Sequence, residues 1–360
     1  MWMLTNHTAL CWAPKILVLK MVRRKGLVLG MLLLTSMLAA LPAGWWLART
    51  VSRGLMLPAP PPRDLTHYMR TKSLRDYLLD IDILVEPART SCDTLSNIPV
   101  LVMVTSAPMH FDYRNVIRKT WAKYQPTLFI MGLHRTHSES ILGGNYLESK
   151  QFNDILVFDF YDQYQNLTLK TALMLKWASE KCPQAKFLFK TDDDVLVNPW
   201  MLQRVIKDHP RAQLLGYSIN KTKLHRDEYN KYYVPRWLAR DDFIPQYLSG
   251  TGYLINGAYI KKILQTAYLV PMVNVEDVYI TYLVAKKTLN LTLTHDRRVS
   301  PMRPWVTFSC LYWHLAAAHS VRPSEILKIW PSLKIIGKEY NRKKKVCFGY
   351  EFFNKDIFLY

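Results

Sequence analysis

The chain has 360 residues, of which 49% are hydrophobic and 21% charged, a composition typical of globular proteins. Lysine and arginine total 48 against 28 acidic residues, and the formal net charge of +20 favours polyanions, anionic membrane surfaces or phosphorylated ligands. Neither a zinc-finger spacing nor an RNA-binding signature accompanies this charge, so we expect no nucleic-acid partner.

The first predicted element is a membrane anchor. No charged residue occurs in residues 26–47, and this run is long enough to cross a bilayer as a helix. Basic residues at 23–25 precede it, so the positive-inside rule places a tail of residues 1–25 in the cytosol. A cleaved signal peptide is the alternative, because small residues lie at 39–43, but the apolar run is longer than a signal peptide needs.

A stem of residues 48–97 follows the predicted anchor. Pro58 and the run Pro60-Pro61-Pro62 indicate an extended, semi-rigid spacer. Further along the stem, Leu74–Val85 fits either a short helix or a strand-pairing segment. Residues 98–360 form the predicted globular body on the far side of the membrane.

Glycosylation signals agree with a body in the secretory lumen. Asn166, Asn220 and Asn290 each begin an Asn-X-Thr acceptor triplet beyond the predicted anchor. A fourth triplet begins at Asn6, which the predicted topology leaves in the cytosol.

The cysteines also fit an oxidising compartment. Cys92, Cys182, Cys310 and Cys347 form an even set beyond the anchor, and four cysteines allow three pairings. Cys92 and Cys182 each precede a predicted strand by a few residues, so both can lie at one end of a parallel sheet. This placement favours the pairs Cys92–Cys182 and Cys310–Cys347, with the other pairings open.

From Ile98 onward, strand-like and helix-like segments alternate. The predicted strands are Pro99–Val104, Leu128–Met131, Ile155–Phe158 and Phe187–Phe189, and the predicted helices are Tyr113–Trp121 and Leu167–Ala178. This alternation predicts an α/β fold with an open, mainly parallel sheet, whose ligands bind beyond the carboxyl ends of the strands. The first strand is followed by neither a glycine-rich dinucleotide fingerprint nor a Walker sequence.

Three consecutive aspartates, Asp192, Asp193 and Asp194, follow the apolar segment Phe187–Phe189 after only two intervening residues. Adjacent carboxylates repel one another, so they stay together only when a cation or water neutralises the repulsion. Carboxylate oxygens suit Mg²⁺ or Mn²⁺, which proteins hold with one or two carboxylates and substrate phosphates. The triplet therefore indicates a metal site, with a solvated acidic turn as the alternative.

The second half of the body has a less regular pattern. Leu248–Ile255 predicts a strand with two glycines, where a backbone or ligand approaches closely. Ala258–Leu269 predicts a helix, and Val275–Ile280 begins another. Glu276 and Asp277 lie near the start of that second helix, where its dipole favours acidic residues.

These segments resemble the inverting β-1,3-glycosyltransferases, which include β-1,3-galactosyltransferases and β-1,3-N-acetylglucosaminyltransferases. The matching motifs follow one another in the family's order. They are Arg114–Trp121, Asp159–Thr171, Lys190–Asn198, Tyr247–Tyr253 and Glu276–Tyr279. The resemblance implies a GT-A-like, Rossmann-type catalytic domain in a type II Golgi membrane protein, with homo- or hetero-oligomers left open. It also implies a UDP-sugar donor, Mn²⁺ (or Mg²⁺), and an acceptor glycan on a glycoprotein or glycolipid.

The same resemblance assigns the metal ligands. It makes Asp194 the first ligand, while Asp192 shares the metal or contacts the donor ribose. His319 matches a histidine-to-proline element whose histidine completes the metal shell, and His314 is the alternative.

Catalytic and donor-binding roles follow in the same way. Asp277 is the implied base, and Glu276 contacts the acceptor or tunes the charge of Asp277; simple stabilisation of a helix end is the alternative. The predicted donor contacts are Arg114, Arg118, Lys190 and Asp193, since guanidinium groups suit phosphate. Alternatively, an arginine pairs with a core carboxylate and holds its helix.

The chain departs from the family pattern at two positions. Leu248 stands where many relatives carry cysteine, so a relative's disulfide pairing cannot be transferred. Thr281 stands where glycine is frequent, which alters the packing behind the acidic block but leaves the acids in place.

The expected reaction is transfer of a sugar, galactose first, from a UDP-sugar to a 3-hydroxyl of an acceptor glycan with inversion. N-acetylglucosamine and N-acetylgalactosamine are the alternative donor sugars. A catalytically silent lectin or chaperone and a metal-dependent phosphodiesterase are alternatives from other classes. The transferase hypothesis requires Asp192 and Asp277 to share one cleft.

Overall fold

The computed structural model describes residues 73–134, 139–230, 232–234, 236, 240–342, 344 and 346–347. All of them belong to one unit that spans Arg63–Tyr360. The predicted cytosolic tail, the predicted anchor and the proline-rich part of the stem lie outside the described residues. Within these ranges, the helices are either too short or too polar to span a bilayer.

A central eight-stranded sheet and a small three-stranded sheet organise the described residues. The strands are β1 (Ile83–Val85), β2 (Leu101–Thr105), β3 (Thr127–Leu133), β4 (Ile155–Tyr161), β5 (Phe187–Asp192), β6 (Leu196–Val197), β7 (Leu214–Lys223), β8 (Phe243–Asn256), β9 (Leu293–His295), β10 (Val299–Ser300) and β11 (Ala317–Ala318). The central order is β1-β4-β3-β2-β5-β8-β7-β9, and the small sheet runs β10-β11-β6.

Helices cover both faces of the central sheet. They are α1 (Leu74–Leu79), α2 (Ser91–Thr94), α3 (Phe111–Lys119), α4 (Glu139–Phe152), α5 (Leu167–Lys181), α6 (Pro199–Asp208), α7 (Gly257–Ala267), the π-helix α8 (Val278–Thr288), α9 (Ser309–Trp313) and α10 (Pro323–Asn341). Residues of α5, α7 and α8 pack on one face, against side chains such as Met103 of β2. Residues of α3, α6 and α10 pack on the other, against Val102 and Val104.

The parallel half of the sheet confirms the fold prediction. Strands β4, β3, β2 and β5 are parallel neighbours, and every residue of β2 is buried. Both faces of these strands lie under helices, which explains why their sequences are continuous apolar runs. The other half is mixed, because β8 is antiparallel to both β5 and β7, whereas β9 is parallel to β7.

The predicted stem boundary after residue 97 lies inside the folded unit. Leu74 of α1 is fully buried, and β1 pairs with β4. Both interpretations of Leu74–Val85 therefore apply, because its first part is a helix and its last part is an edge strand. The described body begins no later than residue 73, not at 98.

Two disulfides, Cys92–Cys182 and Cys310–Cys347, are present. They have the pairing that the positions of the predicted strands favoured. The first closes a separation of 90 residues and joins α2 to the end of α5.

Candidate active site

A cavity of about 410 Å³ opens beside the carboxyl end of β5. Its lining includes Asp192 at the end of that strand, His319, Glu276 and Asp277. Both acidic motifs therefore share one cleft, as the transferase hypothesis requires. The antiparallel register of β5 with β8 brings them together, since Thr191 lies opposite Gly252 and the segment around Gly250 faces Asp277.

The three consecutive aspartates make different contacts. Asp192 Oδ1 accepts hydrogen bonds from Thr105 Oγ1 at 2.5 Å and Lys190 Nζ at 2.7 Å. Asp193 is buried, and its Oδ2 accepts from Ser106 Oγ at 2.7 Å and contacts His110 Nδ1 at 2.8 Å. Asp193 thus ties the triplet to the end of β2, which does not support its predicted donor contact.

Asp192, Asp194 and His319 form a group suited to a divalent cation. One ligand atom from each lies within 4.8 Å of the others. Burial raises the pKa of Asp194, and the neighbouring His319 opposes that rise. Two carboxylates and an imidazole fit Mn²⁺ or Mg²⁺ chemistry, and the concentrated negative charge is what a cation would relieve.

The small sheet brings His319 to this group. Strand β11 pairs with β6, which begins two residues after Asp194, and the Val321 N–H donates to the Asp194 carbonyl at 2.9 Å. His319 Nε2 lies 3.4 Å from Asp194 Oδ2. His314 instead contacts the Cys347 carbonyl through Nε2 at 3.3 Å, next to the second disulfide. The structure therefore supports His319 over His314 as the candidate ligand.

Asp277 lies at the N-cap of α8, on the wall of the cavity. Its Oδ2 accepts from the Gly250 N–H at 2.8 Å, and its Oδ1 accepts from the Val278 N–H at 2.8 Å. A Cβ at position 250 would lie 3.1 Å from Asp277 Oδ2, so glycine allows this close approach. Burial, together with the charge of Glu276, raises the pKa of Asp277 to about 7. A carboxylate with this pKa can take up a proton near neutral pH.

Glu276 and Lys190 are buried between the two acidic motifs. The Tyr253 hydroxyl donates to Glu276 Oε1 at 2.5 Å, and Lys190 Nζ lies 3.5 Å from Glu276 Oε2. Lys190 Nζ also donates to the Gly250 carbonyl at 2.8 Å. Although burial alone would lower the pKa of Lys190, Asp192 and Glu276 keep it above its ordinary value.

Lys190 lines the cavity, but its side chain is buried and its ammonium already contacts Asp192, Glu276 and the Gly250 carbonyl, so its predicted contact with the donor is not supported. It acts instead as an internal counter-ion that joins the metal motif to the acidic block. Glu276 is also buried, which favours its predicted role in tuning the charge of Asp277 over direct contact with the acceptor.

Arg114 and Arg118 hold helix α3 in the core. Arg114 is fully buried, and its Nη2 lies 2.6 Å from Glu148 Oε2. Arg118 pairs with Glu148 at 2.6 Å and with Asp154 at 2.7 Å. The alternative of pairing with core carboxylates therefore applies to both arginines, and their predicted donor contacts are not supported.

The three predicted glycosylation sites differ in exposure. Asn220 on β7 and Asn290 after α8 are exposed. Asn166 is buried, and its Nδ2 donates to the Tyr161 carbonyl at 2.8 Å. The folded state thus leaves no room for a glycan on Asn166, whereas the other two sites stay predictions.

Several residues of the cavity escaped the motif analysis. They are Ile219, Thr222, Leu224, His225, Tyr232 and Ile244. All come from β7, β8 or their connection, and β7 was not predicted. Tyr164 and Tyr247, which belong to matched motifs but received no role there, also line the cavity.

Comparison with known proteins shows to which family the chain belongs. Residues 112–295 match the family model described as Galactosyltransferase. The chain is 31% identical over 277 residues to beta-1,3-galactosyltransferase 1 of Homo sapiens, covering 73% of this chain and 81% of that relative. It is 28% identical over 256 residues to beta-1,3-galactosyltransferase 2 of Homo sapiens, covering 65% of this chain and 58% of that relative.

Among solved structures, a galactosyltransferase complex with donor and acceptor sugar analogs aligns at 13% identity. The alignment covers 68% of this chain and 100% of that chain, and its TM-score of 0.34 is low. The family match and the relatives, rather than this weak structural similarity, establish that the chain belongs to the galactosyltransferase family.

Proposed function

We propose that this protein transfers galactose from UDP-galactose to the 3-hydroxyl of an acceptor glycan, with inversion and formation of a β-1,3 linkage. The observation that carries the proposal is the position of Asp277, a carboxylate with a pKa of about 7, in the same cavity as the candidate cation ligands. The names of the related proteins support galactose as the sugar and β-1,3 as the linkage.

Asp277 has the properties of the base in this reaction. It takes the proton from the acceptor 3-hydroxyl, whose oxygen forms a bond to C1 of galactose on the face opposite the diphosphate. The bond between C1 and the diphosphate oxygen breaks, and its electron pair leaves with UDP. The Gly250 and Val278 N–H groups hold the Asp277 carboxylate in one orientation throughout.

Asp192, Asp194 and His319 are the residues that would hold Mn²⁺ or Mg²⁺. A bound divalent cation neutralises negative charge on a leaving diphosphate. Lys190, which also lines the cavity, contributes because its ammonium holds Asp192 and Glu276 in a fixed relation.

The proposal includes a single-pass type II topology, with the catalytic domain in the Golgi lumen. The uncharged run of residues 26–47 and the two disulfides support this setting. Exposed Asn220 and Asn290 agree with it. The acceptor would then be a glycan on a glycoprotein or glycolipid.

A donor-by-acceptor panel tests the function. Full-length protein is assayed for UDP release from UDP-galactose, UDP-N-acetylglucosamine and UDP-N-acetylgalactosamine, with Mn²⁺ or with a chelator, and the product linkage is determined by NMR. We expect Mn²⁺-dependent transfer of galactose and a β-1,3 product. Asp277→Asn should reduce kcat by at least about 100-fold, because it removes the base.

Glu180→Gln, which removes an exposed carboxylate on α5, is the matched control and should keep wild-type activity. Transfer of N-acetylglucosamine or N-acetylgalactosamine in place of galactose would show that the proposed donor is wrong. Acceptor binding without any UDP release would favour the lectin alternative, and full activity of Asp277→Asn would exclude Asp277 as the base.

A further inference from the structure

Two tyrosines from distant parts of the chain form a corner in the cavity wall. Tyr164 lies between β4 and α5, whereas Tyr232 lies in the connection between β7 and β8. Their ring centroids are 5.9 Å apart and their planes meet at 78°. Each tyrosine remains 39% exposed, so both rings present surface to the cavity.

This corner lines the same cavity as Asp277. Burial raises the pKa of the Tyr164 hydroxyl, and among the carboxylates Asp277 contributes most, ahead of Glu276 and Asp192. Burial likewise raises the pKa of Tyr247, to which Asp277 and Tyr232 also contribute. The hydroxyls of Tyr164 and Tyr247 are therefore neutral at physiological pH, and both tyrosines line the same cavity as Asp277.

The segment that carries Tyr232 is braced from both sides. Arg226 donates to the Val234 carbonyl at 2.6 Å and to the Asp241 carbonyl at 2.5 Å. The His225 ring lies 5.8 Å from the Tyr232 ring, and the Tyr232 N–H donates to Asn230 Oδ1 at 2.9 Å. The ring of Tyr232 is thus presented in a defined position.

From this geometry we infer that the Tyr164–Tyr232 corner is the subsite for the acceptor's terminal sugar and sets acceptor affinity. A pyranose has one face rich in C–H groups, which packs on an aromatic ring, while its hydroxyls reach Asp277. The inference depends on the proposed function for the identity of the ligand as an acceptor. The competing position is Trp305, which is 63% exposed on the loop that follows β10.

Binding of simple glycosides tests this subsite without requiring turnover. Full-length protein with UDP and Mn²⁺ is titrated with methyl β-D-galactopyranoside and methyl N-acetyl-β-D-glucosaminide, and contacts are read by saturation-transfer difference NMR. At least one glycoside should show saturation on its ring C–H protons. Tyr232→Leu should weaken binding of that glycoside by about tenfold, which corresponds to about 1.4 kcal/mol, because it removes the ring on which the sugar stacks.

The companion variants separate stacking from folding. Tyr232→Phe keeps the ring and should bind within about twofold of wild type. Tyr229→Leu, an exposed tyrosine of the same connection outside the cavity lining, should bind normally. In transfer assays, Tyr232→Leu should raise the acceptor KM while the donor KM and the affinity for UDP stay unchanged.

Wild-type glycoside affinity in both Tyr232→Leu and Tyr164→Leu would overturn the inference. A loss of affinity in Trp305→Ala with normal binding in the tyrosine variants would do so as well. Failure of the proposed function gives a different result, namely no UDP release from any donor by wild-type protein, whatever the glycosides do.

Discussion

Thr281 Oγ1 accepts a hydrogen bond from the Leu248 N–H at 2.9 Å. The same hydroxyl donates to the Asp277 carbonyl at 2.7 Å. Leu248 and Thr281 are the two positions at which the chain departs from the family pattern, and this hydrogen bond joins them to each other. Thr281 therefore joins β8 to the start of α8 and holds the backbone of the proposed base.

Replacing Thr281 with valine removes both hydrogen bonds and leaves the buried Leu248 N–H without this acceptor. We expect the free energy of unfolding to fall by about 1–3 kcal/mol, the usual cost of an unsatisfied buried group. Thermal or denaturant unfolding measures this loss. Thr281→Ser keeps the hydroxyl and should recover most of it.

Thr288→Val is the matched control on the same helix. Thr288 is exposed, and its Oγ1 donates only to the Leu283 carbonyl at 2.8 Å. Removing this exposed hydroxyl should lower the free energy of unfolding by no more than about 0.5 kcal/mol. Equal stability of Thr281→Val and wild type would show that the contact does not hold α8 in place.

Lys190→Met is expected to destabilise the whole active site. The substitution leaves Asp192 and Glu276 without the cation between them, and breaking a buried pair from one side typically costs about 3–5 kcal/mol. Both stability and transfer should fall together. Lys186→Met, on the exposed residue just before β5, should change neither.

A second substitution tests the origin of this loss. Lys190→Met combined with Glu276→Gln removes one of the two unpaired charges, so the double variant should unfold at a higher temperature than Lys190→Met alone. A stable Lys190→Met protein with only a raised donor KM would instead restore the original prediction of a donor contact.

Transfer should depend on pH through Asp277. Its pKa is raised to about 7, and the base must be ionised, so kcat/KM should rise with pH and level off above about 7. The acidic limb of the pH–rate profile measures this apparent pKa. An acidic limb with an apparent pKa near 3.8, the ordinary carboxyl value, would show that the base is not Asp277 with its pKa raised by burial.

Folding stability should show the opposite trend. Because the folded state raises this pKa from 3.8 to about 7, it binds the proton more tightly than the unfolded state does. The contribution of Asp277 to stability therefore declines as pH rises from about 4 to 7. Thermal unfolding of wild type and Asp277→Asn across this range should show the variant gaining relative stability as pH increases.

Apolar runs and short motifs made part of this architecture predictable. Strands β2 and β5 are buried on both faces, so their sequences are uninterrupted apolar segments ending in polar residues. Strand β7 was not predicted from the sequence, because only its first half is buried and the second half carries polar side chains. Helix α10 contains Pro331 and Gly337, which obscure a helical pattern. At Gly337 a Cβ would lie 2.4 Å from the Trp200 ring, so packing explains the glycine.

The roles of the buried cations were not predictable from local sequence. Arg114 and Glu148 are 34 residues apart, and no spacing rule connects them. Lys190 meets Glu276 only because β5 pairs with β8 in one register. The motifs therefore identified which residues matter at the site, whereas the tertiary structure decided which of them face the cavity.

His319, and not His314, is expected to support cation binding. Its Nε2 lies 3.4 Å from Asp194 Oδ2, whereas His314 contacts the Cys347 carbonyl. His319→Ala should weaken Mn²⁺ binding by at least about tenfold, since even residues that only orient metal ligands contribute about 10–100-fold. Isothermal titration of Mn²⁺ into full-length protein measures this change, and His314→Ala is the control. The reverse result, weak binding in His314→Ala and normal binding in His319→Ala, would remove His319 from the cation site and leave Asp192 and Asp194 as its only protein ligands among the described residues.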